Sequence, residues 1–251
     1  MSLAGHLIEL RNRLMIAAAA VIVAMVIAYF LTDPFMAFIT QPVREIAAAE
    51  GQEAKVEVMY TTITGAFDLK LRMSFAIGLL LSAPVWLWQI WAFIMPGLTR
   101  KEVRYSVGFF AAAVPLFFAG VFTGLLVMPN IVKLMAEFLP EGTSAFYDAK
   151  YYYDFVLKLL LIVGIAFVLP VFLVGLNFAG VISGREILKA WRVAIVVAIV
   201  VAAIATPPAD VVSTFLLAGI LIVLFFAAAG LSLLLDRRRA RRTAAELGPL
   251  S

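Results

Sequence analysis

The chain has 251 residues, of which 64% are hydrophobic and 14% charged, with a formal net charge of +4. Soluble domains are about half apolar and about a quarter charged, so this composition excludes a water-soluble globular protein and indicates a membrane protein. The sequence contains no cysteine, which excludes disulfides, thiol nucleophiles and iron–sulfur clusters.

Long apolar stretches predict an all-α, polytopic protein with six transmembrane helices in one membrane domain, residues 1–235. A spanning helix needs about 20 apolar residues. The fifth stretch is short, and we expect the fifth and sixth spans to form a short antiparallel pair, although a re-entrant fifth segment is the alternative. The predicted spans cover about residues 14–31, 72–95, 105–128, 155–180, 190–205 and 211–235.

Prolines are expected to bend this helical domain. Pro84, Pro115 and Pro170 lie inside predicted spans, where each removes a backbone hydrogen bond and favours a kink. Kinked helices predict a curved, concave arrangement, whereas neighbouring helices that absorb the prolines would leave a straighter bundle. After the first span, residues 34–49 predict an amphipathic helix that breaks near Pro42.

The distribution of charge predicts the orientation. The N-terminal segment, the loops after the second and fourth spans, and the tail carry 13 of the 20 basic residues but only 5 of the 16 acidic ones. Cytoplasmic segments are enriched in Lys and Arg, so both termini are predicted to be cytoplasmic. Residues 236–251 form a basic tail that we expect the anionic inner leaflet to attract.

Several kinds of chemistry are missing from the sequence. His6 is the only histidine, so a serine–histidine pair at membrane depth is excluded, and no glycine-rich phosphate-binding loop is present. We therefore expect no enzymatic activity, no cofactor and no metal site, and we expect His6 to lie at the membrane interface.

Two carboxylates on the basic side are candidate binding groups. Glu9 precedes the first span, and Glu102 lies in the predicted loop after the second, at about residues 96–104. Each carboxylate has basic neighbours, so simple pairing is one interpretation; Glu9 reaches Arg13 at i+4 on a helix. The other is a site for a cationic ligand with two arginines, since a guanidinium binds a carboxylate through two donors.

At these residues the chain resembles the C subunit of the twin-arginine protein translocase, the TatC family, from Gly5 to about Leu235. Motifs in the family's order carry the resemblance, and they are His6-Leu-Ile-Glu-Leu-Arg-Asn-Arg-Leu14, Leu81-Ser-Ala-Pro84, Gln89-Ile-Trp-Ala-Phe93, Met95-Pro-Gly-Leu98, Phe167-Val-Leu-Pro-Val171 and Thr206-Pro-Pro-Ala-Asp210. The resemblance implies a receptor for folded precursor proteins that carry twin-arginine signal peptides.

It also implies partners and a location. Partners would be TatA- and TatB-like single-span subunits, further copies of the chain and the lipid bilayer of a prokaryotic cytoplasmic membrane, with transport driven by the proton-motive force; nucleic acid is not expected. The signal-peptide-binding positions implied are Glu9, Arg11, Phe93, Pro96, Glu102 and Arg104. Structural or partner-contact positions are Pro42, Pro84, Asp148, Pro170, Thr206, Asp210, Ser213 and Thr214.

Two departures from the family pattern stand out. Many relatives carry glutamate inside the fourth span, where this chain has Val168, so contact with a polar residue of a partner helix is expected elsewhere, with Thr206, Ser213 and Thr214 as candidates. Relatives often place two basic residues after the loop glutamate, whereas here Val103 and Arg104 follow Glu102. Two other functions remain open from the residues alone, a membrane scaffold and a small-solute carrier.

Overall fold

Helices dominate the computed structural model, which describes residues 3–49, 56–60, 62–94, 100–137, 145–178, 180–206 and 211–246. Within these ranges the all-α prediction is confirmed, with one short pair of strands added. The elements are α1 (Leu3–Ala49), β1 (Val56–Met59), α2 (Gly65–Leu81), α3 (Ala83–Ile94), α4 (Arg100–Glu137), β2 (Ala145–Asp148), α5 (Ala149–Phe178), α6 (Gly184–Lys189), α7 (Trp191–Ala205) and α8 (Val211–Glu246).

Four described helices are long and apolar enough to cross a membrane, in α1, α4, α5 and α8. Helices α2 and α3 form a fifth candidate span if they are taken together across a 55° bend. Helix α7 has 15 residues, about 22 Å at ~1.5 Å per residue, which is less than the ~30 Å hydrocarbon core. Six spans and the orientation of the termini therefore stay predictions.

Helix α1 is longer than the sequence predicts, because it continues through positions 34 and 42 to Ala49. The expected break near Pro42 is wrong. Tertiary contacts hold this second half of α1 on α5: Tyr153 Oη lies 2.8 Å from Thr40 Oγ1, and Tyr152 Oη donates to the Ile39 carbonyl. Such contacts stabilise a helix that proline alone would weaken.

The predicted bounds of the sixth span, about 211–235, agree with a candidate span of 28 residues, Val211–Arg238, so this span is not short. Helix α8 has 36 residues and continues from the apolar stretch into the basic tail as far as Glu246. Between Gly230 and Gly248 the sequence has no glycine or proline, and it is rich in Leu, Ala and Arg, the best helix formers. The tail that we expected as a separate segment is, over residues 236–246, the end of α8.

The break between α2 and α3 falls at Ser82, two residues before Pro84. Proline fits the first turn of a helix, where its missing N–H has no acceptor to lose. The Leu79 carbonyl beside the break accepts hydrogen bonds from Trp86 Nε1 at 2.9 Å and Ser82 Oγ at 3.2 Å. By contrast, α4 and α5 continue as single helices through Pro115 and Pro170.

Helices α4 and α5 pack closely because glycines replace side chains at their contact. A Cβ built on Gly120 would lie 2.7 Å from the Val163 carbonyl oxygen, and one on Gly164 would lie 2.9 Å from the Phe117 ring. Phe117 itself is fully buried. In lipid, where apolar burial drives little association, such close backbone approach is a main source of helix–helix stability.

At the C-terminal end of α5, a polar cluster joins three helices. Asn177 Nδ2 donates to Asp236 Oδ1 at 2.9 Å, and the Gly184 backbone N–H donates to Asp236 Oδ2 at 2.7 Å. Ser183 and Glu186 form a capping box that starts α6, and these hydrogen bonds from Ser183 lower the pKa of Glu186. The cluster fixes the end of α5 against α6 and α8.

At the opposite end of α5, strands β1 and β2 pair in parallel, with Val56 opposite Ala145 and Met59 opposite Asp148. Asp148 then caps α5, because its Oδ1 accepts from the backbone N–H groups of Lys150 at 2.9 Å and Tyr151 at 3.3 Å. The carboxylate also complements the positive end of the helix dipole.

We predict that Gly164→Val lowers the free energy of unfolding by about 1–3 kcal/mol, because the new side chain overlaps the Phe117 ring and forces α4 from α5. Reversible unfolding in mixed detergent and SDS micelles measures the change. Gly219→Val is the matched control, since a Cβ at Gly219 meets nothing within 4 Å. Equal destabilisation by both variants would contradict this packing argument.

We predict that Asp148→Ala destabilises the protein by about 1 kcal/mol, because two N–H groups at the start of α5 lose their acceptor. The same unfolding assay applies. Asp148→Ser restores a capping oxygen and should recover most of the loss. A serine variant as unstable as the alanine variant would assign the carboxylate a contact other than the cap.

Candidate functional site

The N-terminal motif meets the end of the second predicted span. The His6 and Phe93 rings stack with centroids 4.4 Å apart and planes 25° apart. Phe93 reaches this position because the 55° bend at Ser82 gives α3 a direction different from that of α2. Two of the motifs on which the resemblance depends therefore lie side by side in the tertiary structure.

Glu9 lies one helical turn after His6, on α1. Its Oε1 accepts two hydrogen bonds from the Arg13 guanidinium, at 3.0 Å from Nε and 2.6 Å from Nη2. Both side chains are mostly buried, with 22% of Glu9 and 25% of Arg13 exposed. Within the described residues Glu9 Oε2 accepts no hydrogen bond, so the carboxylate has one oxygen engaged by a guanidinium and one available.

Arg11 points elsewhere. It is exposed, and its guanidinium contacts Asn12 Oδ1 at 3.3 and 3.4 Å rather than Glu9. Three residues of one motif thus differ in environment: Glu9 and Arg13 form a partly buried pair, while Arg11 projects toward solvent or the head-group region. The structure gives Arg13, which the family resemblance did not select, the direct contact with the candidate carboxylate.

The remaining predicted peptide-binding positions lie at the start of α4 or just before it. Glu102 and Arg104 belong to the first turns of α4, which begins at Arg100, so their assignment to a loop is corrected. An acidic residue is favourable there, because the N-terminus of a helix carries partial positive charge. Pro96 lies outside the described residues.

The expected partner-contact residues near α7 and α8 are bonded internally. Thr206 Oγ1 lies 2.6 Å from Thr214 Oγ1 and donates to the Ala202 carbonyl at 2.9 Å. Thr206 and Ser213 are buried, with 4% and 6% exposed. The Thr206 and Thr214 hydroxyls connect the end of α7 to the start of α8. Contact of these residues and Ser213 with a partner stays a prediction, and Asp210 lies outside the described residues.

The two fourth-span positions singled out from the sequence are interior ones. Val168, where many relatives carry glutamate, is 2% exposed, and Pro170 is buried as well. A side chain at position 168 therefore packs inside this chain. Apolar valine suits that surrounding, because an unpaired carboxylate buried there would be costly.

Sequence reasoning missed two contacts between distant residues. The aromatic stack of His6 on Phe93 joins residues far apart in the chain, and no periodicity predicts it. The Asn177–Asp236 hydrogen bond also joins distant residues, although two polar groups at the ends of apolar stretches were a usable signal. Among the described residues, no group of three or more His, Asp or Glu side chains could hold a metal ion.

Comparisons with known proteins identify the family of the chain. A family model described as Sec-independent protein translocase protein (TatC) matches residues 5–219. The protein of that name from Xylanimonas cellulosilytica is 38% identical over 244 residues, covering 97% of this chain and 88% of that protein. The chloroplastic protein of Arabidopsis thaliana is 32% identical over 214 residues, covering 85% of this chain and 61% of that protein.

The fold also matches solved structures. A crystal structure of the twin arginine translocase receptor TatC in DDM superposes with a TM-score of 0.77 at 29% identity, covering 90% of this chain and 99% of that one. A second crystal structure of the receptor gives a TM-score of 0.75 at the same identity. The protein is a multi-pass helical membrane protein, and it belongs to the TatC family of Sec-independent protein translocase proteins.

Proposed function

We propose that this protein is the receptor subunit of a twin-arginine translocase and that it binds the signal peptide of folded precursor proteins at the junction of α1 and α3. The observation that carries the proposal is the partly buried Glu9 carboxylate, which binds the Arg13 guanidinium one turn after the stack of His6 on Phe93. Family membership and the likeness to a receptor structure support the assignment.

Glu9 has the chemistry that an arginine pair requires. A guanidinium–carboxylate bond is stronger where water is partly excluded, and arginine presents two parallel donors that lysine does not have. Arg13 occupies only Oε1 of Glu9, so a peptide guanidinium can bind at Oε2 or replace Arg13. Glu102, near the start of α4, is the proposed second carboxylate for the second arginine.

The apolar part of the peptide has a surface available along α1. In the most apolar 18-residue stretch of α1, only 6% of the residues are buried. Leu7, Leu10 and Leu14, on the turns that flank Glu9, are exposed. An apolar segment that follows the arginines can therefore lie along α1 within the lipid. In this arrangement the two charges set the register, and apolar contact adds affinity without selecting sequence.

The wider role follows from the family. Cytoplasmic termini, residence in the cytoplasmic membrane, recruitment of TatA- and TatB-like single-span subunits and transport driven by the proton-motive force are all part of the proposal. The charge distribution supports the orientation, since the predicted inner segments hold 13 of the 20 basic residues. The proposed role is receptor and translocase subunit, without catalysis.

We predict that a twin-arginine signal peptide binds the purified protein in nanodiscs and that Glu9→Gln or Glu102→Gln weakens binding about tenfold or more, because a charge-assisted hydrogen bond is lost. The unmodified protein should bind the same peptide with two lysines no more tightly than the glutamine variants bind the arginine peptide. Fluorescence anisotropy of labelled peptides gives the dissociation constants.

Glu186→Gln is the matched control, because this exposed carboxylate lies on the same predicted side and glutamine preserves the capping box. It should leave binding unchanged. Equal affinity for the arginine and lysine peptides would show apolar association alone and favour the scaffold function. Full binding by both glutamate variants would remove these residues from the site.

We predict that Arg13→Gln tightens binding of the arginine peptide about twofold, because the peptide no longer competes with an internal i,i+4 ion pair of ordinary strength. Anisotropy titration again gives the change. Arg185→Gln removes one exposed positive charge on the same predicted side, leaves the Glu9–Arg13 bonds in place and should not change binding. Weaker binding in Arg13→Gln would show that Arg13 positions Glu9 for the peptide instead of competing for it.

A further inference from the structure

An apolar groove lies between α4, α5 and α8, apart from the α1–α3 junction. Its volume is about 510 Å³, and small or apolar side chains line it. Gly108 and Ala112 form the α4 wall, Pro170 and Val174 the α5 wall, and Ala228 and Leu231 part of the α8 wall. Its occupant must therefore be apolar along its length.

The groove is open because several residues that line it are glycine or alanine. A Cβ built on Gly108 would meet nothing within 4 Å, and Ala112 and Ala228 add only methyl groups. Proteins rarely leave an apolar channel of this size empty, and here the surrounding solvent is lipid. Lipid chains, rather than water, are therefore the expected content of the groove.

The length of the groove matches one leaflet. Along α8 the lining residues extend from Leu224 to Leu235, which is about 16 Å at ~1.5 Å per residue. This is about half of a ~30 Å hydrocarbon core. A partner's transmembrane helix needs the full thickness, whereas one acyl chain needs half, so the dimensions favour a lipid.

Positive charge continues the groove at its C-terminal end. Arg238 follows Leu231 by two helical turns, so it lies on the same face of α8 as the lining residues, and it is exposed. Arg237, also exposed, lies about a third of a turn away from that face. Asp236, the acid closest to Arg238 along the chain, is bonded to Asn177 and the Gly184 N–H instead.

We propose that this groove binds one acyl chain of an anionic phospholipid, whose phosphate contacts Arg238 in the leaflet at the C-terminal end of α8. The groove length favours a lipid chain, and Arg238, which lies in line with the groove on α8, favours a negative head group. The site is independent of signal-peptide binding, so neither result decides the other. A bound lipid would cover the apolar walls of α4, α5 and α8 together.

Native mass spectrometry of the full-length protein, released from micelles with equal amounts of phosphatidylglycerol and phosphatidylcholine, tests the proposal. We expect one retained phospholipid with a preference for phosphatidylglycerol. Arg238→Gln should reduce that preference about fivefold, and Arg237→Gln, the matched control, should leave it nearly unchanged. Equal retention of both lipids, or equal loss in both variants, would overturn the proposal.

A filling variant tests the groove itself. Gly108→Trp should abolish retention of both lipids, because the indole occupies the channel, whereas Gly230→Trp should not, since it lies off the groove face in equally open space. Unchanged retention in Gly108→Trp would overturn the proposal. So would capture of a polypeptide rather than lipid by a photoreactive side chain at Ala112 in native membranes.

Discussion

A helix break inside a membrane leaves backbone groups without their helical hydrogen bonds, and lipid cannot replace those bonds. The junction of α2 and α3 therefore depends on hydrogen bonds from side chains. Trp86 and Ser82 donate to the Leu79 carbonyl, which stabilises a 55° bend beside Pro84. Because of the bend, Phe93 in the last turn of α3 stacks on His6. The candidate receptor site therefore depends on a backbone constraint about ten residues away.

Helix α5 connects the other helices to this arrangement. In the most apolar 18-residue stretch of α5, 56% of the residues are buried, whereas the corresponding share for α1 is 6%. Gly164 allows close contact with α4, Gly175 makes room for the Trp91 ring of α3, and Asn177 donates to Asp236 of α8. The two glycines allow close packing, and Asn177 forms a hydrogen bond. Both kinds of contact matter in lipid, because apolar burial alone adds little stability there.

The proposed peptide site and the lipid groove use charge in the same way. Glu9 and Arg238 each lie beside an apolar surface, Glu9 next to exposed leucines of α1 and Arg238 in line with the groove on α8. Apolar contact there supplies affinity of low selectivity, and the charge supplies selectivity and register. The two sites lie on different helices and have opposite signs, so they suit different ligands.

The sequence alone determined the all-α membrane class, the resemblance to the family and the spacing that allows Glu9 to pair with Arg13, because hydropathy, motif order and i,i+4 spacing are local properties. Only the tertiary structure decided that α1 passes Pro42, that Val168 is interior and that Phe93 meets His6. These outcomes depend on contacts between residues far apart in the chain, such as Tyr153 with Thr40, which can override local preference.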